Sequence, residues 1–434
     1  KPTVITPFSW LLPIRKKSTR PRRKPVISKR ELGADAKIAV SSSLNLDLTY
    51  NPDFSQVEVD RQVTNLDRFE LFFPERRQFF LENGDHFSNF GYANIRPFFS
   101  RRIGLNAPIR YGARLSGKLN KDWRLGMMTM QTGKVAAQDL PAQHFTVMAL
   151  QRRVLSRSNI GFLFINKQAL NYHPADTVKN AFSLFNRNLG LEFNLASPSN
   201  LWTGKLVVIK SFSPGKFSSS WVHAGNILYS SRKWYVGGQY EYVGSSFIAE
   251  TGYVPRNNYV KVNPTFGYLF FTKGRSLLSH GPKISSTYYY TSSFRHTDDE
   301  TYMAYQFNYR NQTTFTGWVA HNFVELLQPF DPTNFRKDTL ARGTRHRWNA
   351  FGTEFVSKPQ SRFTYGFSTR YGGYYANGTR LNITTDFGYR FQPFVNISLS
   401  TSFNQIDLPM PWGKTILWLV GPRVDLTFTN KLFF

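Results

Sequence analysis

The sequence predicts an all-β protein, a large antiparallel transmembrane β-barrel, on three observations: two-residue alternation of apolar and polar side chains, aromatic residues on the apolar face, and connections that alternate between short and long. From Leu381 onward, Leu381, Ile383, Thr385, Phe387, Tyr389 and Phe391 fall on one face, and Asn382, Thr384, Asp386, Gly388, Arg390 and Gln392 on the other. A helix would scatter both sets round its circumference, whereas a strand separates them. After Gln392-Pro393, Val395, Ile397, Leu399, Thr401 and Phe403 oppose Asn396, Ser398, Ser400, Ser402 and Asn404. Near the start, Ala34, Ala36, Ile38 and Val40 oppose Asp35 and Lys37, and Leu44, Leu46, Leu48 and Tyr50 oppose Asn45, Asp47 and Thr49. Ile109, Tyr111, Ala113, Leu115 and Leu119 oppose Arg110, Arg114, Lys118 and Asn120. About 19 such segments follow one another, most near the roughly 9–11 residues of a barrel strand, with the start of another at Lys431 to Phe434.

Composition agrees. The 434 residues include 40 Phe, 22 Tyr and 9 Trp, yet mean hydropathy is -0.38, as expected when every apolar outward residue is followed by a polar inward one. A soluble sandwich would turn polar residues outward. No run approaches the roughly 20 apolar residues of a spanning helix, so a closed barrel is the spanning structure left. The absence of cysteine excludes disulfides and thiolate metal sites. The net charge of +28 is assigned to lumen-facing basic residues and to rims that meet anionic headgroups. No nucleic-acid motif accompanies it, so lipid is the expected partner and nucleic acid is not.

Connections inside each strand pair are tight: Ser41 to Ser43, Asn120 to Asp122, Ser156 to Ser158, Pro198 to Asn200, Lys358 to Gln360 and Gln392-Pro393. Those between pairs are longer, at Asn51 to Pro108, Gln168 to Asn180, Phe294 to Thr301 and Gln328 to Arg345; Asn377-Gly378, a two-residue hairpin signal, is the exception. Short periplasmic turns and long outer loops give an outer-membrane location with a periplasmic N-terminus.

Residues 1–33 are expected to form a basic periplasmic or lumenal segment, because Lys1 to Arg30 lack strand alternation and carry nine basic residues from Arg15 on. Residues 34–434 are the barrel, with 51–107 an inserted, plug-like loop. That loop holds Asp53, Glu58, Asp60, Asp67, Glu75 and Glu82 beside Arg61, Arg68, Arg76, Arg77, Arg101 and Arg102, interleaved with phenylalanines. Paired charges facing a polar wall around a private aromatic core suit a lumenal plug. Arg110, Arg114, Lys118 and Arg124 are expected to line the lumen wall and favour anions.

Three motifs, Asn51-Pro52-Asp53-Phe54-Ser55 with Val57 to Asp60, Phe72-Phe73-Pro74-Glu75-Arg76-Arg77-Gln78-Phe79-Phe80-Leu81-Glu82, and Phe99-Ser100-Arg101-Arg102-Ile103-Gly104, carry a resemblance. Together with Glu250-Thr251-Gly252-Tyr253-Val254-Pro255-Arg256, they resemble an uncharacterised family of Bacteroidota outer-membrane barrels that follow a carbohydrate-binding family 9-like domain. The resemblance implies location and architecture, and no activity. It also implies an N-terminal β-sandwich not seen here and strands beyond Phe434, for about 20 or more in a complete barrel.

Asp53, Glu58 and Asp60 could be calcium ligands, but lack a ligand-loop pattern and have arginines beside them. Glu75 and Glu82 could be a glycosidase pair, although loop acids this numerous supply such pairs by chance. His86, His280 and His296 are scattered, and Thr297-Asp298-Asp299-Glu300 suits a solvated outer loop. No catalytic residue, metal or cofactor is therefore expected. The leading function is a plugged or gated pore that binds or admits a solute, a glycan by analogy with the family's neighbouring domain. The alternative is a scaffold or client barrel in a larger outer-membrane protein export or assembly complex, with other outer-membrane or periplasmic proteins as partners. A surface hydrolase using Glu75 or Glu82 is the third.

Overall fold

In the computed structural model, residues 3–12, 29–52, 60, 62–172, 182–216, 218–334, 338–429 and 432–433 are described. The alternating segments become strands. In chain order they are β1 (Thr3–Leu12), β2 (Lys29–Ala39), β3 (Leu44–Tyr50), β4 (Ile109–Lys118), β5 (Trp123–Thr132), β6 (Ala142–Val154), β7 (Ser158–Leu170) and β8 (Phe185–Ala196). Next come β9 (Trp202–Phe212), β10 (Trp221–Ser230), β11 (Trp234–Val243), β12 (Tyr259–Tyr268), the two-residue β13 (Phe270–Phe271), β14 (Leu277–Tyr290) and β15 (His296–Tyr309). The last are β16 (Thr314–Glu325), β17 (Arg345–Val356), β18 (Phe363–Gly373), β19 (Thr379–Phe391), β20 (Val395–Asp407), β21 (Lys414–Thr429) and β22 (Leu432–Phe433). Each pairs antiparallel with its successor, β12 and β13 sharing β14, so a single meander results. Among the described residues no ladder joins β1 to β21 or β22.

The two faces of the sheet meet different surroundings. On β9, Leu206 and Val208 are 60% and 45% exposed, whereas Val207 and Ile209 between them are 1% exposed. Both sets are apolar. Val207 and Ile209 belong to a core shared with Met130, Phe145, Leu163 and Ile165 on neighbouring strands and with Phe87, Phe90, Ile95, Phe98 and Ile103 of the long β3–β4 connection. Farther along, Phe363, Tyr365, Phe387 and Tyr389 continue the exposed apolar face, and their opposite face carries Thr364, Ser368, Thr384 and Asp386. The inward face is thus apolar on β5–β7 and β9, where the connection docks, polar on β8 with Asn186, Asn188 and Glu192, and polar again on β18–β20.

The β3–β4 connection also shows that the sheet is curved. It bonds Lys37 on β2 through Glu82, and Tyr374 just after β18 through the carbonyl of Leu66. In a flat sheet those strands would stand about 70 Å apart. A folded-back segment of roughly 45 residues is only about 25 Å across, so the sheet wraps round it.

Four expectations change. Thr3–Leu12 forms a strand registered against Lys29–Ile38 and is not tail; the basic block that follows masked it, and residues 13–28 lie outside the described ones. The stretch Thr297 to Glu300 lies in β15 and is not an outer loop, with Thr297 and Asp298 at 0% and 5% exposure. Four polar residues in a row hide period two. The connection expected at Phe294 to Thr301 correspondingly ends at His296. Between β18 and β19 the chain makes a short 3-10 turn, Tyr375–Asn377, with positive φ at Ala376 and Asn377, so the connection is longer than a two-residue hairpin.

Glycine makes room where the segment docks. A Cβ on Gly190 of β8 would stand 2.8 Å from two atoms of the Phe90 ring, and one on Gly126 of β5 would stand 2.8 Å from Phe87. Gly190→Val should therefore loosen Phe90 while keeping the sheet. Hydrogen exchange should accelerate across residues 86–98, with the β8 and β9 amides still protected.

Candidate functional site

The β3–β4 connection supplies the site, and its own chemistry makes it a folded body. Short helices α1 (Gln78–Leu81) and α2 (Asp85–Ser88) and a 3-10 turn at Ser100–Arg102 are its regular elements. Arg77 clamps it from within, donating to Glu75 at 2.9 and 2.7 Å, to the carbonyl of Ser100 at 2.6 Å and to that of Ile103 at 2.8 Å. Ser100 Oγ donates to the same Glu75 at 2.6 Å. Asp60 accepts a two-pronged bond from Arg101 at 2.6 and 3.0 Å and a third from Arg76 at 3.1 Å. Planar guanidinium forks matched to carboxylates fix these turns more tightly than a lysine would. Phe72 and Phe99 pack between them, 4.9 Å apart.

A second set of bonds ties the segment to strands. Arg114 of β4, with its side chain 2% exposed, donates to Asp47 of β3 at 2.7 and 3.2 Å and to the carbonyl of Phe79. Lys37 reaches Glu82, and Arg124 of β5 reaches Asp85 at 2.7 Å. Lys205 of β9 donates to the carbonyls of Asn89 and Gly91 at 2.9 and 3.0 Å while pairing with Glu192 at 3.0 Å.

A third set joins the motifs that are distant in sequence. Arg96 and Tyr253 form a two-way backbone bridge, Phe99 N–H donates to Thr251 at 2.7 Å, and Tyr253 Oη donates to the carbonyl of Glu70 at 2.7 Å. Arg102 reaches the carbonyl of Gly252 at 3.1 Å and also pairs with Glu70. Arg68 and Arg256 both bond Asp298 at 2.7 Å. The Glu250–Arg256 motif is thus a clasp for the segment.

Electrostatics follow from the pairing. Burial works to raise the Glu75 carboxyl, but the Arg77 and Ser100 bonds outweigh it and hold the group below its ordinary range. Lys37 lowers Glu82 and Arg101 lowers Asp60. For Asp85, the bond from Arg124 overcomes burial. A glycosidase acid needs a raised pKa, and Glu75 and Glu82 are both lowered and locked in separate pairs. Asp60, one of the three calcium candidates, is occupied by arginines. Among the described residues no group of three or more His, Asp or Glu stands together to hold a metal.

Of the residues expected here, Asp53, Glu58 and Arg61 lie outside the described ones. Asp67 caps a local turn, its carboxylate accepting the Arg68 N–H at 2.7 Å. The rest of the loop set is brought together as described. Of the four wall residues, Arg114 and Arg124 are spent on neutralising carboxylates; Arg110 and Lys118 are exposed and make no ion pair among the described residues. Arg110 falls at a register shift between Ile109 and Tyr111, which breaks its inward phase. Lys37, Asp47, Glu192, Lys205 and Asp298 were missed, although each is a charge on a strand, and inward parity was the signal available.

The model of a domain of unknown function, DUF5916, matches residues 10–125, from β1 to the start of β5. No curated protein matches in sequence. Similar solved structures include OpdO of Pseudomonas aeruginosa, 10% identical over 73% of this chain and 91% of that one, with a TM-score of 0.41. The siderophore receptor PirA of the same organism is 11% identical over 99% of this chain and 74% of its own, with a TM-score of 0.43. PirA of Acinetobacter baumannii is 9% identical over 98% and 74%, also at 0.43. At that level of likeness none of them transfers a solute or a mechanism to this chain.

Two outcomes are expected. Asp47→Ala leaves the buried Arg114 guanidinium without its carboxylate and should cost about 3–5 kcal/mol in unfolding experiments. Acidification should free the segment, because carboxyls held below their unfolded values of 4.5 for Glu and 3.8 for Asp stabilise the fold above those values and lose that contribution as pH falls through the lowered ones. Limited proteolysis within residues 60–107 should be unchanged from neutral pH down to about 4.5 and accelerate as pH falls further, ahead of any cleavage in the strands.

Proposed function

We propose that the protein is an outer-membrane β-barrel whose residues 51–107 act as a lumenal plug that gates a solute, with the N-terminus on the periplasmic side. The observation that carries this reading is the unequal attachment of the segment. Against β5–β12 it buries Phe87, Phe90, Ile95, Phe98 and Ile103 in a shared core. Each such side chain contributes about 1.5–3 kcal/mol, so this side acts as a fixed seam. Toward β14–β20 its ties are fewer: Leu66 joins an apolar cluster with Val324, Leu326, Tyr374 and Ile406, its carbonyl accepts from Tyr374 Oη at 3.2 Å, and Arg68 pairs with Asp298. With one buried apolar side chain of the segment on this side among the described residues, against those five on the other, the weaker seam and with it the passage lie along β14–β19.

The exposed band of Leu206, Val208, Phe363 and Tyr389 supports lipid as the outer neighbour. Short turns at the β2–β3 and β4–β5 ends and the long β3–β4 connection opposite support the orientation. Neutralised carboxylates support a non-enzymatic role. The resemblance to Bacteroidota barrels that follow a carbohydrate-binding domain supports a glycan as the solute.

Single-channel conductance in planar bilayers tests the plug. Deleting residues 53–98 should open a stable conductance that the intact chain lacks. If neither form conducts although both are folded, the segment does not gate the lumen. Val208→Arg should reduce folding into bilayers by about 2–4 kcal/mol if that face meets lipid near the midplane; an unchanged folding equilibrium would count against the membrane reading.

A further inference from the structure

We propose that the cavity between residues 64–71 and the inward face of β15–β19 binds a small solute with a hydroxylated ring and an oxyanion: carboxylate, sulfate or phosphate. The inference rests on the reading of residues 51–107 as a lumenal plug, because that segment forms the cavity's roof. The cavity holds about 550 Å³. Arg370 of β18 and Arg380 of β19 line one end of it. Among the described residues, Arg370 donates to the carbonyls of Gly373 and Arg380, at 2.9 and 3.3 Å, and Arg380 to Asn404 Oδ1, at 2.9 and 3.3 Å. Tyr374 lies beside both, 5.9 and 5.6 Å from the guanidiniums.

No carboxylate is ion-paired with either arginine among the described residues. That sets them apart from Arg114, Arg124 and Arg256, each matched to an aspartate. A guanidinium has five N–H groups in a planar fork, and both forks keep donors unused. Two like charges on adjacent strands repel, and an oxyanion between them would relieve both.

The remainder of the cavity suits a ring. Trp318 and Trp348 line it. Indole faces take the C–H face of a ring. Glu300 and Asn322 also line the cavity and form no side-chain hydrogen bond among the described residues. Glu300 on β15 faces the arginines across the cavity and its charge acts on Arg370, so an oxyanion is held on the Arg370–Arg380 side and the carboxylate is left to a hydroxyl. Asp67 on the roof is engaged with the Arg68 N–H.

Titration calorimetry on the full chain in detergent, with glucuronate, glucose 6-sulfate and glucose 6-phosphate against glucose, tests the assignment. At least one anion should bind about tenfold or more tightly than glucose, and Arg370→Gln and Arg380→Gln should each remove about tenfold of that preference while leaving glucose unaffected. Arg370→Lys and Arg380→Lys, which keep the charge, should retain part of it. Equal binding of glucose and all three anions, no binding of any anion, or an anion preference unchanged in folded glutamine variants would overturn the proposal. Binding is read without transport, so a failed conductance test would condemn the gating role and leave this result standing, and the reverse holds too.

Discussion

The structure depends on satisfying a stretch of wall, on β5–β7 and β9, that is apolar on both faces. On β9, Leu206 and Val208 point one way and Val207 and Ile209 the other, and neither set can be left in water at little cost. The inner set is covered by the aromatic and aliphatic residues of one connection, which in turn cannot bury its phenylalanines without that wall. Each part supplies the other's missing core. This mutual dependence explains the glycines at positions 126 and 190, where a side chain would meet the docked rings.

Charge pairing then sets the geometry that apolar contact leaves loose. Hydrophobic burial is non-directional, whereas the Arg77–Glu75 and Arg101–Asp60 forks specify which turns of the segment meet. Arg114 is the most demanding member, since a guanidinium with 2% exposure persists only with its carboxylate in place. On the far side, Asp298 receives two arginines, one from the segment and one from the Glu250–Arg256 motif. The segment is thus held by Phe80, Phe87, Phe90, Ile95, Phe98 and Ile103 on one side and by Leu66 with the Arg68–Asp298 pair on the other.

Much of this was legible in the sequence, because period two survives wherever polar and apolar residues strictly alternate. The runs at Leu381 and Phe394 became β19 and β20 with Thr385 opposite Thr401. Legibility failed where charge hid the alternation, at Thr297 to Glu300, and where a basic block drew attention from Thr3–Leu12. Segment residues such as Glu75, Arg77 and Arg101 were recognisable from mixed charge and phenylalanine content. Their wall partners were not, because a lone Asp47 or Lys205 on a strand looks like any inward polar residue until three-dimensional proximity selects it. The clasp at Tyr253 was visible only as a motif; that it closes on Arg96 and Phe99 is information in the fold.

The most direct test of the plug is a comparison of two engineered tethers, feasible because the chain has no cysteine of its own. Arg68→Cys with Asp298→Cys, joined by a bifunctional thiol crosslinker that spans the length of the lost Arg68 side chain, ties the segment to β15, and Asn83→Cys with Ser116→Cys, joined in the same way, ties it to β4. Solute flux would be measured through each before and after crosslinking. Crosslinking should abolish flux through the β15-tethered protein and leave the β4-tethered protein unaffected. Undiminished flux through the β15-tethered protein, with the crosslink verified, would contradict the plug reading.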